Sequence, residues 1–254
     1  TYDFSGSPPF SGLRDSMMAR VDRFPQGREV AQVAAVIDHD ISYDLLAVVS
    51  KVSDSPLRST LSLLEDAEVL YRLGEPPHAR YMFKHALVRD AAYESLLNTR
   101  RRELHKHVAA GLEERFVEAV ANQPELLAYH YGQAGMPESA VGYWLQAGRR
   151  ALDRSAHLET IAHLRNALET LSQLPETPER SRRELEVELT LGIPLIAVKG
   201  YAAQETGEAF ARARALCAKV GDPSVHVQAL FGLWGHHWMR AEHDQALALA
   251  NEIL

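Results

Sequence analysis

The chain has 254 residues, enough for one large domain or two smaller ones with a buried core. Hydrophobic residues make up 46% and charged residues 24% of the sequence, a composition that excludes a disordered chain. The formal net charge of -7 opposes binding to nucleic acid or to an anionic membrane, although Arg100 to Arg102 form a local basic run.

The N-terminal third of the chain predicts short helices followed by two strands. Residues 1–12 mix Gly, Pro and aromatic residues without a period, and we interpret them as a linker. Apolar residues then recur at helical spacing, which predicts helices over 13–24, 28–37, 43–52 and 57–69. Ser42 is the expected cap of the helix at 43–52, and Asn98 or Thr99 caps a later one. The runs VLYRL and ARYMFKH around GEPPH predict a two-stranded ribbon. This order predicts a winged helix-turn-helix domain over 13–97.

From His85 onward the sequence predicts only helices, joined by short breaks. They resemble tetratricopeptide repeats, helix pairs of about 34 residues with small residues at the contact between the helices. Ala140 and Ala246 fit the small position, and the remaining matches are Leu127, Ala128, Tyr131, Trp144, Ala147 and Leu233. Gly192, Pro194 and Gly200 are expected to interrupt a helix.

The predicted fold class is therefore mainly α, a winged helix-turn-helix with a small β-ribbon followed by a tetratricopeptide-like α-solenoid over 98–254. The last repeat stops inside its second helix, and a solenoid needs a polar cap. We therefore expect truncation at the C-terminus and a longer parent polypeptide.

Several runs carry a resemblance to a known family: DSMMARVDRF, EVAQVAAVIDHDISYDLLAVVS, YMFKHALVRDAAYESLL, LLAYHYGQAG and AVGYWLQAGRRAL. They resemble the winged-helix and tetratricopeptide region of bacterial signal-transduction ATPases with numerous domains, the STAND or AAA-type ATPases. Many members also carry a class III adenylate or guanylate cyclase domain. The resemblance implies a regulatory and protein-interaction segment whose parent is an ATPase that binds ADP or ATP.

Within that family the run from Lys84 to Asp90 is similar to the "MHDLVRD" run of plant resistance proteins. The resemblance implies that His85 reaches the β-phosphate of ADP bound to the ATPase module, with Lys84 and Arg89 beside it. Lys84 replaces the Met of that run and Ala86 replaces its Asp. The alternative is that His85 only caps the helix or packs at a domain seam.

The sequence shows no motif of a catalytic centre. A P-loop, GxGxxG, HExxH, CxxC and GxSxG are all absent from it. We expect no catalytic residue and no cofactor in these 254 residues, and an ATPase module of the same polypeptide as one partner.

Aromatic and histidine residues near the C-terminus are the candidate binding residues. Trp234, His237 and Trp238 are predicted to line a groove of the solenoid that binds a protein or peptide. His236, His237 and His243 are weak candidates for metal ligands, which leaves a stand-alone metal-assisted hydrolase as one alternative function.

A DNA-binding transcriptional regulator is the other alternative. The expected recognition helix, PLRSTLSLLEDAEV, offers Arg58 against the acidic Glu65, Asp66 and Glu68, so nucleic-acid binding is disfavoured.

The expected location is the cytoplasm. Cys217 is the single cysteine, which excludes an intrachain disulfide and fits a reducing compartment. No apolar run approaches the roughly 18 residues that span a bilayer, so we expect no membrane partner.

Overall fold

The computed structural model describes residues 25–221 and 223–254, without the side chains of 223 and 224, and divides into two compact units. The first unit contains the described residues up to Val117 together with 133–135, and the second contains 118–132 and 136–254. The predicted linker over 1–12 and the predicted helix over 13–24 lie outside the described residues.

The first unit combines helices with a small sheet. Its elements are α1 (Pro25–Ile37), β1 (Asp40–Ser42), α2 (Tyr43–Ser50), α3 (Asp54–Asp66), β2 (Leu70–Leu73), β3 (Arg80–Phe83), α4 (Ala86–Glu94) and α5 (Asn98–Arg115). The helices predicted over 28–37, 43–52 and 57–69 are confirmed with shifted ends. Helix α1 begins at Pro25, because the fixed φ of proline suits the first turn of a helix.

The sheet has three antiparallel strands in the order β1-β3-β2, not the two that the sequence predicts. The additional strand β1 lies in the polar run DHDIS, whose composition predicts a break between helices. Ile41 is fully buried opposite Tyr81, while Asp40 forms an ion pair with Arg80 on the exposed side. A strand of three residues with one buried side chain is too short to show a period of two.

Two helices of this unit have serine at the N-cap position, but only one of these serines makes a capping hydrogen bond. Ser42 is the N-cap of α2 as predicted, and its Oγ accepts a hydrogen bond of 3.1 Å from the Leu45 amide. Ser53 is the N-cap of α3 but its side chain makes no capping bond. The predicted cap of α5 is wrong, because Asn98 and Thr99 lie inside that helix and Leu97 precedes it.

The core of the first unit forms where α1 packs against α3, α4 and α5. Its fully buried side chains include Leu46, Leu57, Leu61, Leu64, Tyr81 and Leu104. His105 is also fully buried, and its Nε2 lies 3.0 Å from the hydroxyl oxygen of Tyr93. This buried polar pair is satisfied within the unit, which is the usual condition for a polar group in a core.

Only helices follow β3 in the described part of the chain, as predicted. They are α6 (Val117–Asn122), α7 (Pro124–Gln133), α8 (Pro137–Asp153), α9 (His157–Ser172), α10 (Pro178–Lys199), α11 (Gln204–Val220), α12 (Pro223–Met239) and α13 (His243–Ile253). From α8 onward each helix packs against the next one in the chain. This stacking gives the second unit a helical repeat-like fold.

The residues assigned to small or packing positions of the repeats are buried. This holds for Leu127, Ala128, Tyr131, Ala140, Ala147, Leu233 and Ala246. Trp144 is half-buried, and its indole stacks on the ring of His163 with centroids 5.7 Å apart. The sequence pattern therefore identified the packing positions of this unit from single residues.

The prediction that Gly192 and Pro194 interrupt a helix is wrong. Helix α10 is continuous through both residues and ends at Lys199, where Gly200 follows with a φ of 84°. Gly192 serves a packing role instead, because a Cβ there would lie 2.4 Å from Cζ of Phe210.

Candidate functional site

His85 lies immediately before α4, at the N-cap position of that helix. Its side chain is exposed and makes no capping hydrogen bond, while its backbone oxygen accepts from Val88 N at 3.0 Å. The start of a helix presents unpaired amide groups and the positive end of the helix dipole. The imidazole is therefore available at a position where backbone geometry favours an anion.

The two cations beside His85 are already engaged by carboxylates. Lys84 Nζ lies 2.7 Å from an oxygen of Glu68, and the Arg89 guanidinium lies 2.8 Å from an oxygen of Asp90. These ion pairs are partly exposed, so each contributes little to stability and can exchange partners in solution. Lys84 and His85 are consecutive in the chain just before α4, and Arg89 lies one helical turn further along that helix.

Arg58, the basic residue of the expected recognition helix, is also paired with a carboxylate. Arg58 on α3 donates from Nε to Asp54 at 2.8 Å, and its guanidinium lies over the ring of Tyr43. The Tyr43 hydroxyl also donates to Asp54, at 2.5 Å. Burial and the hydrogen bond to this carboxylate raise the pKa of Tyr43. Arg58, the basic residue of α3, is therefore already paired with a carboxylate of the same helix. This arrangement gives DNA binding no support.

An aromatic row runs along α12. Phe231 and Trp234 have ring centroids 5.5 Å apart, and Trp234 stacks on Trp238 at 5.8 Å. His243 at the start of α13 extends the row, with its ring 5.4 Å from that of Trp238. Phe231 and Trp238 are 56% and 53% exposed, so about half of each large apolar side chain faces solvent. Exposed aromatic clusters of this kind are enriched at protein-binding surfaces.

His237, predicted to bind a partner together with Trp234 and Trp238, belongs to a different cluster. Its Nδ1 lies 2.6 Å from Oε2 of Glu242, and its ring contacts that of His236 at a centroid distance of 5.2 Å. His236 is buried, with Nδ1 2.8 Å from the backbone oxygen of Tyr201. The predicted third ligand, His243, packs on Trp238 instead, and the residue that joins His236 and His237 in a group of possible ligands is Glu242.

Glu242 is held by two donors. Arg240 donates from Nε to Oε1 at 2.7 Å, while His237 contacts Oε2. These hydrogen bonds, the one from Arg240 first, lower the pKa of the Glu242 carboxyl. The sequence placed Glu242 near the histidines but favoured His243 as the third ligand, because no helical period relates a residue of the turn after α12 to His236 and His237.

A pair of buried carboxyl groups lies between α10 and α11. Glu184 accepts from Arg212 at 2.8 Å and 2.6 Å, whereas Glu188 is buried one turn further on. Burial, followed by the charge of Glu184, raises the pKa of Glu188 to about 7 although Arg212 opposes the change. The arrangement resembles other buried carboxyl pairs in which one member stays neutral.

An open groove of about 680 Å³ lies beside α10 and the start of α12. Leu185, Leu189, Ile193, Val220 and Val225 supply its apolar surface. A smaller cavity of about 380 Å³ adjoins His236, His237 and Glu242. Among the helices that the structure describes, none combines the length and hydropathy needed to cross a membrane.

No family model matches the sequence. A curated protein of Rhizobium meliloti (strain 1021), described as uncharacterised, is 26% identical over 249 residues. The alignment covers 96% of this chain and 24% of that protein, so the chain spans about a quarter of the relative's length.

The solved structures that are similar to the chain include the following two. One is the Signal Transduction ATPase with Numerous Domains (STAND) protein with a tetratricopeptide repeat sensor from Pyrococcus horikoshii. Its TM-score to this chain is 0.39, and the two sequences are 8% identical. The match covers 98% of this chain and 46% of that one. The other is BtubC from P. vanneervenii, with a TM-score of 0.32 and 12% identity over 97% of this chain and 90% of that one. The assignment of a function therefore depends on the residues of the chain itself.

Proposed function

We propose that this chain is a non-catalytic regulatory and protein-interaction segment of a larger signalling ATPase. In this proposal the first unit is a winged helix that closes over a nucleotide-binding module, and the helical repeats bind a partner protein. ADP or ATP binds to the ATPase module, and in many proteins of the family that the sequence resembles a cyclase domain is also present.

The aromatic row formed by Phe231, Trp234 and Trp238 is the observation that carries the interaction function. Burying two half-exposed aromatic rings against a partner removes a large apolar area from water, and aromatic residues are frequent hot spots. The row lies on one helix, α12, which packs against α11 and α13. A partner that presents apolar side chains along a helix or an extended segment would match its length.

The nucleotide-sensing function is supported by His85 and by the order of elements in the first unit. Helices α1 to α3 precede the hairpin of β2 and β3, which is the order of a winged helix-turn-helix. His85 follows the hairpin directly, with an exposed imidazole that is not used as a helix cap. A histidine at that place can donate a hydrogen bond to a phosphate oxygen of a neighbouring module.

The nucleotide function is tested in the intact parent protein by measuring how much ADP copurifies with it. His85→Ala should lower the retained ADP and speed its dissociation, whereas His78→Ala, an exposed histidine between β2 and β3, should leave both unchanged. Equal ADP retention in the two variants would refute the sensing role.

The interaction function is tested by placing a photo-crosslinking residue at position 227, an exposed valine of α12 one turn before Phe231, in the source cells and identifying the protein that it captures. The captured protein is then purified and titrated with the chain. Trp238→Ala should weaken binding about tenfold or more, since hot-spot aromatic residues contribute at least that much. Leu158→Ala, which removes a 72% exposed apolar side chain of α9, is the matched control. Equal affinities for the two variants would contradict the proposal.

A further inference from the structure

His236, His237 and Glu242 form a cluster of possible metal ligands at the end of α12. One nitrogen from each imidazole and one oxygen of the carboxylate all lie within 4.8 Å of one another. Two histidines and one glutamate are a common protein ligand set for Zn²⁺, with the fourth position open to water or another donor. We propose that these three residues bind a single Zn²⁺ ion.

The hydrogen bond of His236 prepares this ring as a ligand. The Tyr201 carbonyl can only accept, so Nδ1 of His236 carries a proton, and in the neutral ring Nε2 keeps the lone pair that a metal ion needs. Zinc-binding histidines are typically oriented in this way, by donating the other ring nitrogen to a carbonyl or carboxylate. The buried ring therefore has both the tautomer and the fixed orientation that metal binding requires.

Gly207 on α11 makes room for this imidazole. A Cβ at position 207 would lie 2.5 Å from both Cε1 and Nε2 of His236. Any larger residue there would displace the ring edge that carries the lone pair. The close approach of α11 and α12 thus depends on a residue without a side chain at the position facing the proposed ligand.

His237 and Glu242 supply the remaining ligands from a partly exposed position. Their side chains are 23% and 31% exposed, and they are joined by one hydrogen bond, so the ion displaces the proton between them. A tetrahedral Zn²⁺ with bonds of about 2.0–2.2 Å holds its ligand atoms roughly 3.4 Å apart. The two partly exposed side chains have the freedom to separate from 2.6 Å to this spacing and to adjust their distances to His236, which are within 4.8 Å.

Arg240 is the charge that opposes a cation in this cluster. It holds Oε1 of Glu242 at 2.7 Å, which orients the carboxylate with Oε2 toward His237, but its positive charge reduces the attraction for Zn²⁺. The adjoining cavity of about 380 Å³ provides a route of entry for the ion and space for a water ligand. Removing the charge of Arg240 should therefore strengthen Zn²⁺ binding.

The test is calorimetric titration of ZnCl₂ into the 254-residue chain after treatment with a chelator. One equivalent should bind, and His237→Gln and Glu242→Gln should each weaken binding about tenfold or more. His243→Ala and His226→Ala should leave the affinity unchanged, because neither residue belongs to the cluster. The visible absorption of bound Co²⁺ reports whether the site is tetrahedral.

Arg240→Gln keeps the proposal testable even if a ligand variant unfolds, because it should raise the affinity for Zn²⁺, a gain that unfolding cannot produce. Circular dichroism of each variant checks the helix content. Absence of binding, or equal affinities for the unchanged chain, His237→Gln and Glu242→Gln, would overturn the site. These outcomes leave partner binding by the aromatic row untouched, since His237→Gln does not alter Trp234 or Trp238.

Discussion

Phe210 of α11 fits its ring against Gly192 of α10, at a distance that leaves no room for a side chain. A Cβ at position 192 would lie 2.4 Å from Cζ of the ring, and a Cβ at Gly232 of α12 would lie 2.3 Å from its nearest atom. Two glycines on different helices thus face the same aromatic ring. The spacing of three successive helices depends on this contact.

Gly192→Ala should therefore destabilise the second unit. The new methyl group overlaps the buried ring, and overpacking of this kind costs about 1–3 kcal/mol, which exceeds the gain of ~1 kcal/mol in helix propensity. Gly142→Ala on α8 is the matched control, because a Cβ at that exposed position meets nothing within 4 Å. The control should stabilise the fold, and urea unfolding followed by circular dichroism measures both changes. Equal stability of the two variants would contradict this account of the contact.

Ser42→Ala should destabilise the first unit by about 1 kcal/mol, because the alanine removes the acceptor for the Leu45 amide. Ser53→Ala provides an internal control at a second N-cap whose serine makes no capping bond, and its effect should be close to zero. Thermal unfolding of the two variants measures the difference. If Ser53→Ala is as costly as Ser42→Ala, the capping bond is not the source of the effect.

Glu188 should make stability depend on pH. The pKa of its carboxyl is raised from 4.5 to about 7 in the folded state. Between these values the folded state binds more protons than the unfolded state, so the free energy of unfolding decreases as pH rises through that range. The gap between the two pKa values corresponds to about 3 kcal/mol as an upper estimate.

Glu188→Gln tests this dependence, because the amide stays neutral. Compared with the unchanged chain, the variant should lose less stability between pH 5 and pH 8, as measured by urea unfolding at each pH. Glu169→Gln replaces an exposed carboxyl on α9 and should leave the pH profile as it was. Parallel profiles for Glu188→Gln and the unchanged chain would show that Glu188 ionises normally in the folded state.

Trp238 should dominate the quenching of tryptophan fluorescence. The chain has three tryptophans. Trp238 is 53% exposed, whereas Trp144 and Trp234 are more deeply buried. Trp238→Phe should therefore remove most of the emission that acrylamide quenches readily, while Trp144→Phe should leave that fraction in place. If Trp144→Phe removes more of the readily quenched emission than Trp238→Phe does, Trp238 is not the exposed tryptophan.

Much of the fold was predictable from single residues because its helices are amphipathic and their breaks contain Gly or Pro. The period of 3.6 located the helices, and the small residues Ala140 and Ala246 marked positions that the structure shows buried. Gly192 and Pro194 misled the prediction, since glycine can serve close packing as well as a break. The packing partner of Gly192 is Phe210, which no local pattern reveals.

The candidate sites were less predictable, because they depend on contacts between elements. Trp234 and Trp238 were predicted to line one groove, and the structure shows their rings stacked on α12 with centroids 5.8 Å apart. Glu242, and not His243, lies beside His236 and His237, because the Glu242 amide donates to the His237 backbone oxygen at 3.0 Å and so holds the turn against the last turn of α12. The direction of a turn depends on the packing of α13 against α12, and the sequence of the turn alone does not encode it.

The stacking of α8 to α13 in chain order has a consequence for how a signal spreads through the second unit. Each of these helices contacts mainly the helix before and the helix after it, so its energetic coupling to more distant helices passes through every interface between them. A molecule that rigidifies α12 should protect the amides of α11 and α13 from hydrogen exchange first. Protection should then decline stepwise toward α8, as expected for a stack in which each helix is coupled mainly to its two neighbours.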